Sequence, residues 1–213
     1  MTRSLPILIP LSAALFAAGC GVNRPFVLMD DGYALRPASL AVVAGDNNAV
    51  AVRLAEILTK SLKERSPFKI VDQDEIQRRI PKYPMAIAEA SPKDASKPVW
   101  VGAPGRARLD DIQKSLKVSY LFVVWGDGVA RQSVCNGNGG CSTSYFMTVR
   151  GNLIEYPAGR PVSFTHIDES EAPHIYKLTT FKSSNYFINS MIDDACRRIA
   201  EDVAAKIGGK GRT

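Results

Sequence analysis

Histidine, tryptophan and cysteine are scarce in this 213-residue chain, which contains two, two and four of them. With so few imidazoles, a serine or cysteine nucleophile has almost no choice of general base. The glycine-containing stretch 102–105 lacks the Lys-Ser/Thr pair of a P-loop and the spacing of a dinucleotide site. A Gly-x-Ser-x-Gly nucleophile elbow is also absent. We therefore predict a protein that is not an enzyme and needs no cofactor.

Long apolar runs are also lacking, apart from one near the start. That run covers residues 5–18 and follows the basic Arg3. It ends in the small residues Ala17 and Ala18, and Gly19 comes directly after them. This order is the three-part layout of a secretory signal. The run is shorter than the roughly twenty apolar residues that a membrane-spanning helix needs. Residues 1–19 are therefore predicted to be a cleaved signal peptide.

The segment from Ala17 to Cys20 resembles the lipobox of bacterial lipoproteins. The resemblance implies cleavage before Cys20 and attachment of fatty acyl chains, such as palmitate, to this cysteine. The sequence departs from the preferred lipobox at Ala17, where leucine is usual, so secretion with an unmodified Cys20 is the alternative. Gly21 follows the cysteine, in place of the aspartate that retains many lipoproteins at the inner membrane. The implied location is the outer membrane, with the protein lipid-anchored and facing the periplasm.

The formal charge of +6 and the pI of about 9.2 would suit a nucleic-acid partner. The predicted compartment argues against this partner, and most of the basic residues lie on predicted helix faces, which are usually solvated. With 46% hydrophobic and 23% charged residues, the chain has the composition of a globular protein. We predict contact with the membrane through the lipid anchor and no binding of nucleic acid.

Three cysteines remain after Cys20, in a compartment where disulfides persist. Cys135 and Cys141 flank a loop of asparagine and glycine between two strand-like runs, and we predict a disulfide between them. A metal site is the rival interpretation, but no histidine or second cysteine pair lies nearby to complete four ligands. Cys196 shares an apolar helical stripe and is predicted to be a buried thiol.

The periodicity of apolar residues predicts the secondary structure. Helices are expected at 49–65, 74–80, about 109–116 and 184–207, and strands at 40–44, 68–72, 118–125, 145–156 and 161–167. The fold class is therefore α/β (α+β): one domain with a mixed sheet, a strand-helix-strand start, an antiparallel meander and a long C-terminal helix. The boundaries are a signal peptide at 1–19, the lipidated cysteine and a tether at 20–37, the periplasmic domain at 38–207 with a proline-rich insertion at 81–106, and a flexible tail at 208–213.

The densest group of possible metal ligands lies between His166 and His174. Together with Asp168, these two imidazoles could in principle hold a divalent ion. The spacing matches no specific motif, and we favour a strand end running into a solvated acidic loop. No metal site is therefore predicted, and these three residues stand as weak candidates.

The lipidated cysteine, the tether, the mixed sheet and the C-terminal helix together resemble bacterial envelope lipoproteins of the CsgG/LpoB/TolB-N-terminal-like α/β group. The resemblance rests on element order over roughly residues 38–207 and implies a non-catalytic accessory or adaptor in envelope assembly or export. An envelope protein is the expected partner, and the insertion and the cysteine loop are the expected contact surfaces. One alternative is a subunit of an oligomeric outer-membrane secretion channel, in which each copy lends a hairpin from 118–167. A second is a metal-dependent periplasmic hydrolase built on the His166 group.

Overall fold

The structure, a computed structural model, describes residues 26–28, 35–87, 103–126, 130–135, 137, 141–156, 160–175 and 184–205. These residues form one α/β domain with a mixed sheet, which confirms the predicted fold class. In chain order the elements are β1 Phe26–Leu28, β2 Ser39–Ala44, α1 Ala49–Arg65, β3 Lys69–Ile70, α2 Gln73–Arg79, α3 Ala103–Leu116, β4 Tyr120–Gly126, β5 Ala130–Cys135, β6 Cys141–Glu155, β7 Arg160–Ile175 and α4 Ser184–Ala205.

The sheet follows the order β1-β7-β6-β4-β2-β3, with β5 paired to β6 outside this path. Strand β2 is parallel to both β3 and β4, and the remaining pairs are antiparallel. The predicted parallel pairing of the first strand-helix-strand unit is therefore confirmed. Strand β2 lies between β4 and β3 in the sheet. The chain therefore crosses from β2 to β3 on one side, and then crosses back over β2 to reach β4 on the other side.

Helices cover both faces of the sheet. Helix α1 lies in the crossover from β2 to β3, and α3 lies in the crossover from β3 back to β4. Crossovers between parallel strands are right-handed. Because these two run in opposite directions across the sheet, α1 and α3 lie on opposite faces. Strand β4 is buried along its whole length, as a strand covered on both faces must be. Helix α4 packs against α1 and contacts β6 and β7. The prediction of a buried central strand at 118–125 is confirmed.

Helix α1 shows why the sequence was informative here. The side-chain oxygen of Asn48 accepts a hydrogen bond of 2.8 Å from the backbone N–H of Ala51, so the helix begins where this cap removes an unpaired donor. Leu54, Leu58 and Leu62 recur on one stripe and are fully buried. The observed bounds of α1 equal the predicted range 49–65.

Helix α4 buries the thiol of Cys196, as predicted. Cys196 has no exposed surface, and its Sγ lies 3.6 Å from the carbonyl oxygen of Leu54 on α1. Ile199 and Val203 on the same stripe are also fully buried. On the outer side, Arg65 of α1 approaches Glu201 of α4 to 3.7 Å. The two helices are thus joined mainly by apolar packing, because exposed ion pairs contribute about 0–1 kcal/mol each.

Several elements extend beyond the predicted ranges, either because the segment is too short or too rich in proline to show a periodicity or because strand pairing decides its conformation. Residues 26–28 lie in the predicted tether but form β1, whose three residues are too few to show a strand periodicity. Residues 103–106 lie in the predicted insertion but belong to α3, where Pro104 occupies a first-turn position that tolerates proline. Strand β7 continues to Ile175, well past the predicted end at 167, because pairing with β6 holds this polar segment extended.

Candidate interaction surfaces

Cys20 and the rest of residues 1–25 lie outside the described residues, so the lipidation of Cys20 stays a prediction. Among the helices that are described, none is both long enough and apolar enough to cross a bilayer.

Strands β5, β6 and β7 continue beyond the part of the sheet that contains β4. Strand β4 pairs with residues 149–155 of β6, and the earlier residues of β6 pair with β5 on the same side. On its other side, β6 pairs with β7 as far as Ile175. We call residues 130–135, 141–148 and 168–175 the strand extension. It is the most prominent departure from a compact α/β sheet in the described chain.

The two predicted disulfide partners face each other within the strand extension. Cys135 and Cys141 are direct register partners of an antiparallel pair. Such partners have Cα atoms about 4.5–5.5 Å apart, which lies within the usual disulfide range of about 4.4–6.8 Å. Cys135 is exposed. The Cα separation of these register partners is therefore compatible with a disulfide, which stays a prediction.

The three weak metal candidates all lie on β7, and the strand separates them. His166 and Asp168 are two residues apart, whereas His174 lies eight residues beyond His166 along one extended strand. At about 3.3 Å per residue, the backbones of the two histidines are roughly 26 Å apart. The predicted acidic loop is instead part of a strand, because this segment pairs with β6. The two histidines therefore cannot bind one ion together in this fold.

The beginning of the predicted insertion, at 81–87, is part of the domain's core structure. Tyr83 and Ile87 are buried, and the backbone N–H of Ile87 donates to the carbonyl oxygen of Gly45 at 3.0 Å. Residues 88–102 lie outside the described residues. The candidate contact surface at 81–106 is therefore reduced to the part between Ile87 and the start of α3 at Ala103.

Residues 69–87 close the outer edge of β2. Strand β3 covers only the first two residues of β2, which leaves later backbone groups without a strand partner. The side-chain amide of Gln73 donates to the carbonyl oxygen of Val42 at 2.9 Å, and the hydroxyl of Tyr83 accepts from the N–H of Ala44 at 2.9 Å. Open strand edges invite pairing with other chains. Side chains protect this edge where β3 ends.

The same side chains continue as a connected hydrogen-bond network. The Tyr83 hydroxyl donates to Oε1 of Gln73 at 3.3 Å, and the Gln73 amide donates to the Thr59 hydroxyl at 2.7 Å. Thr59 in turn donates to the carbonyl oxygen of Ala55 on α1 at 2.7 Å. Burial raises the pKa of Tyr83 to about 12, because the phenolate would be poorly solvated inside the protein. The network ties β2, α1 and α2 together.

Replacing Gln73 with leucine is expected to lower the free energy of unfolding by about 1–3 kcal/mol, because Val42 and Thr59 lose their partner inside the protein. Gln77→Leu is the matched control, since Gln77 is exposed on the same helix and should change stability little. Urea denaturation of both variants measures the difference. Equal stability of the two variants would show that the network does not hold the edge.

The crevice where open α/β sheets usually bind ligands, at the carboxyl ends of the parallel strands, is occupied by the protein itself. A Cβ added to Gly45 would lie 2.1 Å from Cε2 of Trp125, so the indole lies directly on the Gly45 backbone. Trp125 is 5% exposed, and its buried indole N–H has no hydrogen-bond partner among the described residues. The space between the ends of β2 and β4 is therefore filled by protein groups.

An open cleft of about 620 Å³ lies at the opposite side, near the amino ends of β2 and β4 and alongside β3. Its two acidic residues are engaged in ion pairs, Asp72 with Lys63 and Glu75 with Arg79. Lys117, at the end of α3, also lines the cleft and has a φ of 53°. The cleft is lined by side chains of both charges, and its acidic side chains are in exposed ion pairs. Such pairs are common on ordinary solvated surfaces, so they do not indicate a binding site.

The sequence contains two adjacent pairs of aspartates on helices, Asp110-Asp111 on α3 and Asp193-Asp194 on α4, and one member of each pair has a partner within the fold. Tyr156 donates from its hydroxyl to Asp110 at 3.1 Å, which fastens α3 to the end of β6. Burial, followed by this bond to Asp110, raises the pKa of Tyr156. On α4, hydrogen bonds from Arg198 and then Arg197 hold the pKa of Asp194 below its usual value. One carboxylate of each pair, Asp110 or Asp194, is thus accounted for by a contact within the fold.

No family model matches the chain. No curated protein matches it either.

Several solved structures resemble the fold at low sequence identity. A PelC dodecamer from Paraburkholderia phytofirmans is 11% identical, over 83% of this chain and 98% of that chain, with a TM-score of 0.39. A minor lipoprotein from Acinetobacter baumannii is 12% identical, over 78% and 91%, with a TM-score of 0.40. A candidate lipoprotein from Caulobacter crescentus is 14% identical, over 82% and 93%, with a TM-score of 0.36. Scores this low leave the function of this chain to be derived from its own residues.

Sequence reasoning missed Gln73 and Tyr83 as a pair. Gln73 is the first residue of a short helix, and Tyr83 follows Pro81 in a stretch without periodicity. Neither position carries a signal that would distinguish it from a surface residue. Their roles depend on where β3 ends, which is a property of the assembled sheet.

Proposed function

We propose that the protein is a lipoprotein anchored through Cys20 in the outer membrane, with its α/β domain in the periplasm. Its role there is that of a non-catalytic accessory or adaptor in envelope assembly or export. The signal-like start and the lipobox-like residues 17–20 support the anchor. The filled crevice between β2 and β4 and the structural use of Gln73 and Tyr83 support a scaffold.

The strand extension is the observation that carries the adaptor proposal. It adds a three-stranded antiparallel ribbon beyond the residues of β6 that pair with β4. Among the described residues, no strand pairs with the outer edge of β5 or with the outer edge of β7 beyond Ile167, and addition of a strand to such an edge is a known mode of peptide recognition. We propose that a protein of the envelope, or a second copy of this chain, binds the extension.

A disulfide between Cys135 and Cys141 is part of the same proposal. It would fix the register at the tip of the ribbon, where a hairpin alone is only marginally stable in water. Closing so short a loop stabilises by about 2–4 kcal/mol at most, so its main effect is on the shape of the tip.

The experiment is chemical cross-linking in intact cells, followed by affinity purification and quantitative mass spectrometry. Cys135→Ser combined with Cys141→Ser removes the proposed disulfide, and the mass of the non-reduced tip peptide first checks that the bond is present in the parent. We expect the captured envelope partner to fall roughly tenfold, because a loosened tip must be ordered again on binding.

The matched control is Gln77→Ser, which alters an exposed residue on α2. It should leave capture unchanged. Thermal unfolding of both proteins keeps a loss of binding separate from a loss of folding. Full capture by the double serine variant, with its fold intact, would contradict the tip as the contact surface.

The lengths of β6 and β7, 15 and 16 residues, favour the secretion-channel subunit as the second candidate. The extension sequence is largely polar, with Ser142, Thr143 and Ser144 on β6 and Asp168 and Glu169 on β7. Charged residues are costly wherever a strand faces lipid. We therefore place the adaptor first and retain the homo-oligomer as one form that it could take.

A further inference from the structure

Strand β1 forms one outer edge of the sheet. Its residues Phe26, Val27 and Leu28 pair with Ile167, His166 and Thr165 of β7, and β3 forms the opposite edge. The chain therefore enters the sheet at the edge formed by β1, and the next strand in the chain, β2, lies four positions away in the sheet.

The proposed lipid site is very close to this edge in sequence. Six peptide steps separate Cys20 from Phe26, the first residue of β1. At no more than about 3.6 Å per residue, these steps span at most roughly 22 Å even when fully extended. The tether predicted at 20–37 would have allowed about three times this reach. Pairing of β1 with β7 removes that freedom.

The distance across the sheet is comparable to the tether. Five inter-strand spacings separate β1 from β3, which at about 4.8 Å each amount to roughly 24 Å. Helix α4 packs against α1 and contacts β6 and β7, whereas α2 follows β3 after only two intervening residues. One side of the domain, with β1, β7 and α4, is therefore held near the anchor, and the side with β3 and α2 is not.

We propose that the β1–β7 side of the domain faces the membrane lipid surface and that the β3–α2 side faces away from it. This inference rests on the proposed lipidation of Cys20. The orientation comes from the short tether and not from attraction to headgroups. Residues 168–171 of β7, Asp-Glu-Ser-Glu, would be repelled by anionic lipid. Because the tether sets it, the orientation is expected to be unaffected by salt, which screens exposed charges.

The test is energy transfer from the domain to the bilayer, using the full lipidated chain in vesicles of phosphatidylethanolamine and phosphatidylglycerol with acceptor-labelled headgroups. A donor dye is attached to Asn189→Cys on α4 or to Gln77→Cys on α2, both exposed positions. The unsubstituted parent, treated in the same way, measures labelling of native cysteines.

We expect transfer from Asn189→Cys to exceed transfer from Gln77→Cys by roughly twofold or more, because at about 4.8 Å per strand the two helices sit several strands apart. In a second variant, a flexible segment of thirty glycine and serine residues is inserted after Gly21, which adds about five times the number of residues in the native tether. Transfer from the two labelled positions should then become equal. Raising the salt concentration should change neither value.

Equal transfer from both positions with the native tether would overturn the orientation. So would a difference between the positions that survives the insertion or disappears in salt. Failure of the proposed anchor is distinguishable from these outcomes. A protein without acyl chains on Cys20, as read from the mass of its N-terminal peptide, would not stay on the vesicles at all.

Discussion

Gly45→Ala is expected to lower the free energy of unfolding by about 1–3 kcal/mol or more. The new methyl group would lie 2.1 to 2.6 Å from three ring atoms of Trp125, closer than atoms can approach. The indole is buried and is held by β4, so it cannot swing aside as a flexible side chain would. Either the ring or the end of β2 must move, and both belong to the core.

Chemical denaturation of three variants isolates this contact. Gly137→Ala is the control, because a Cβ there would have no neighbour within 4 Å. Trp125→Leu removes the indole and leaves space beside Gly45. Adding Gly45→Ala to this variant should therefore lower the free energy of unfolding by less than adding it to the parent. Two results would contradict the packing of the indole on Gly45. One is equal stability of Gly45→Ala and Gly137→Ala. The other is an equal loss of unfolding free energy when Gly45→Ala is added to the parent and to Trp125→Leu.

Cys20→Ala is expected to move essentially all of the protein from the membrane fraction to the soluble fraction. Each buried methylene of an acyl chain contributes about 0.8 kcal/mol, and two or more chains are needed for stable anchoring. The variant loses every attachment point at once. Its effect on location should therefore be nearly complete, while the stability of the domain should not change.

Cell fractionation, together with the mass of the N-terminal peptide, measures this outcome. Cys135→Ser is the control, since it removes a different cysteine and should remain with the membrane. An unmodified Cys20 in the parent protein, or a Cys20→Ala variant that stays in the membrane fraction, would contradict the anchor. In that case the orientation inferred from the short tether would also fail.

Long periodic segments were predictable from sequence because each contains its own signal many times. Helix α1 repeats its apolar stripe over 17 residues and begins at a capping asparagine, Asn48. Strand β4 is a nearly continuous apolar run of seven residues, all buried. The stripe of α4 likewise gave the buried position of Cys196. In these elements, local propensity and burial select the same structure.

Short or polar segments were not predictable, because distant pairing decides their conformation. Strand β1 has three residues and exists only through its bonds to β7. The segment 168–175 of β7 is rich in acidic residues, and its pairing with β6 makes it a strand. The interpretation of this segment as an acidic loop was wrong for the same reason, since a loop would have allowed His166 and His174 to meet and an extended strand keeps them apart.

The sequence by itself determined the fold class, the central strand, the two long helices and the expected lipid site, because apolar spacing and the order of residues near Cys20 are local properties. Only the tertiary structure decided which side chains close the edge of β2, how far β7 extends, and where the tether ends. These depend on strand register and sheet order. Both are set by contacts between residues far apart in the chain, which no single segment encodes.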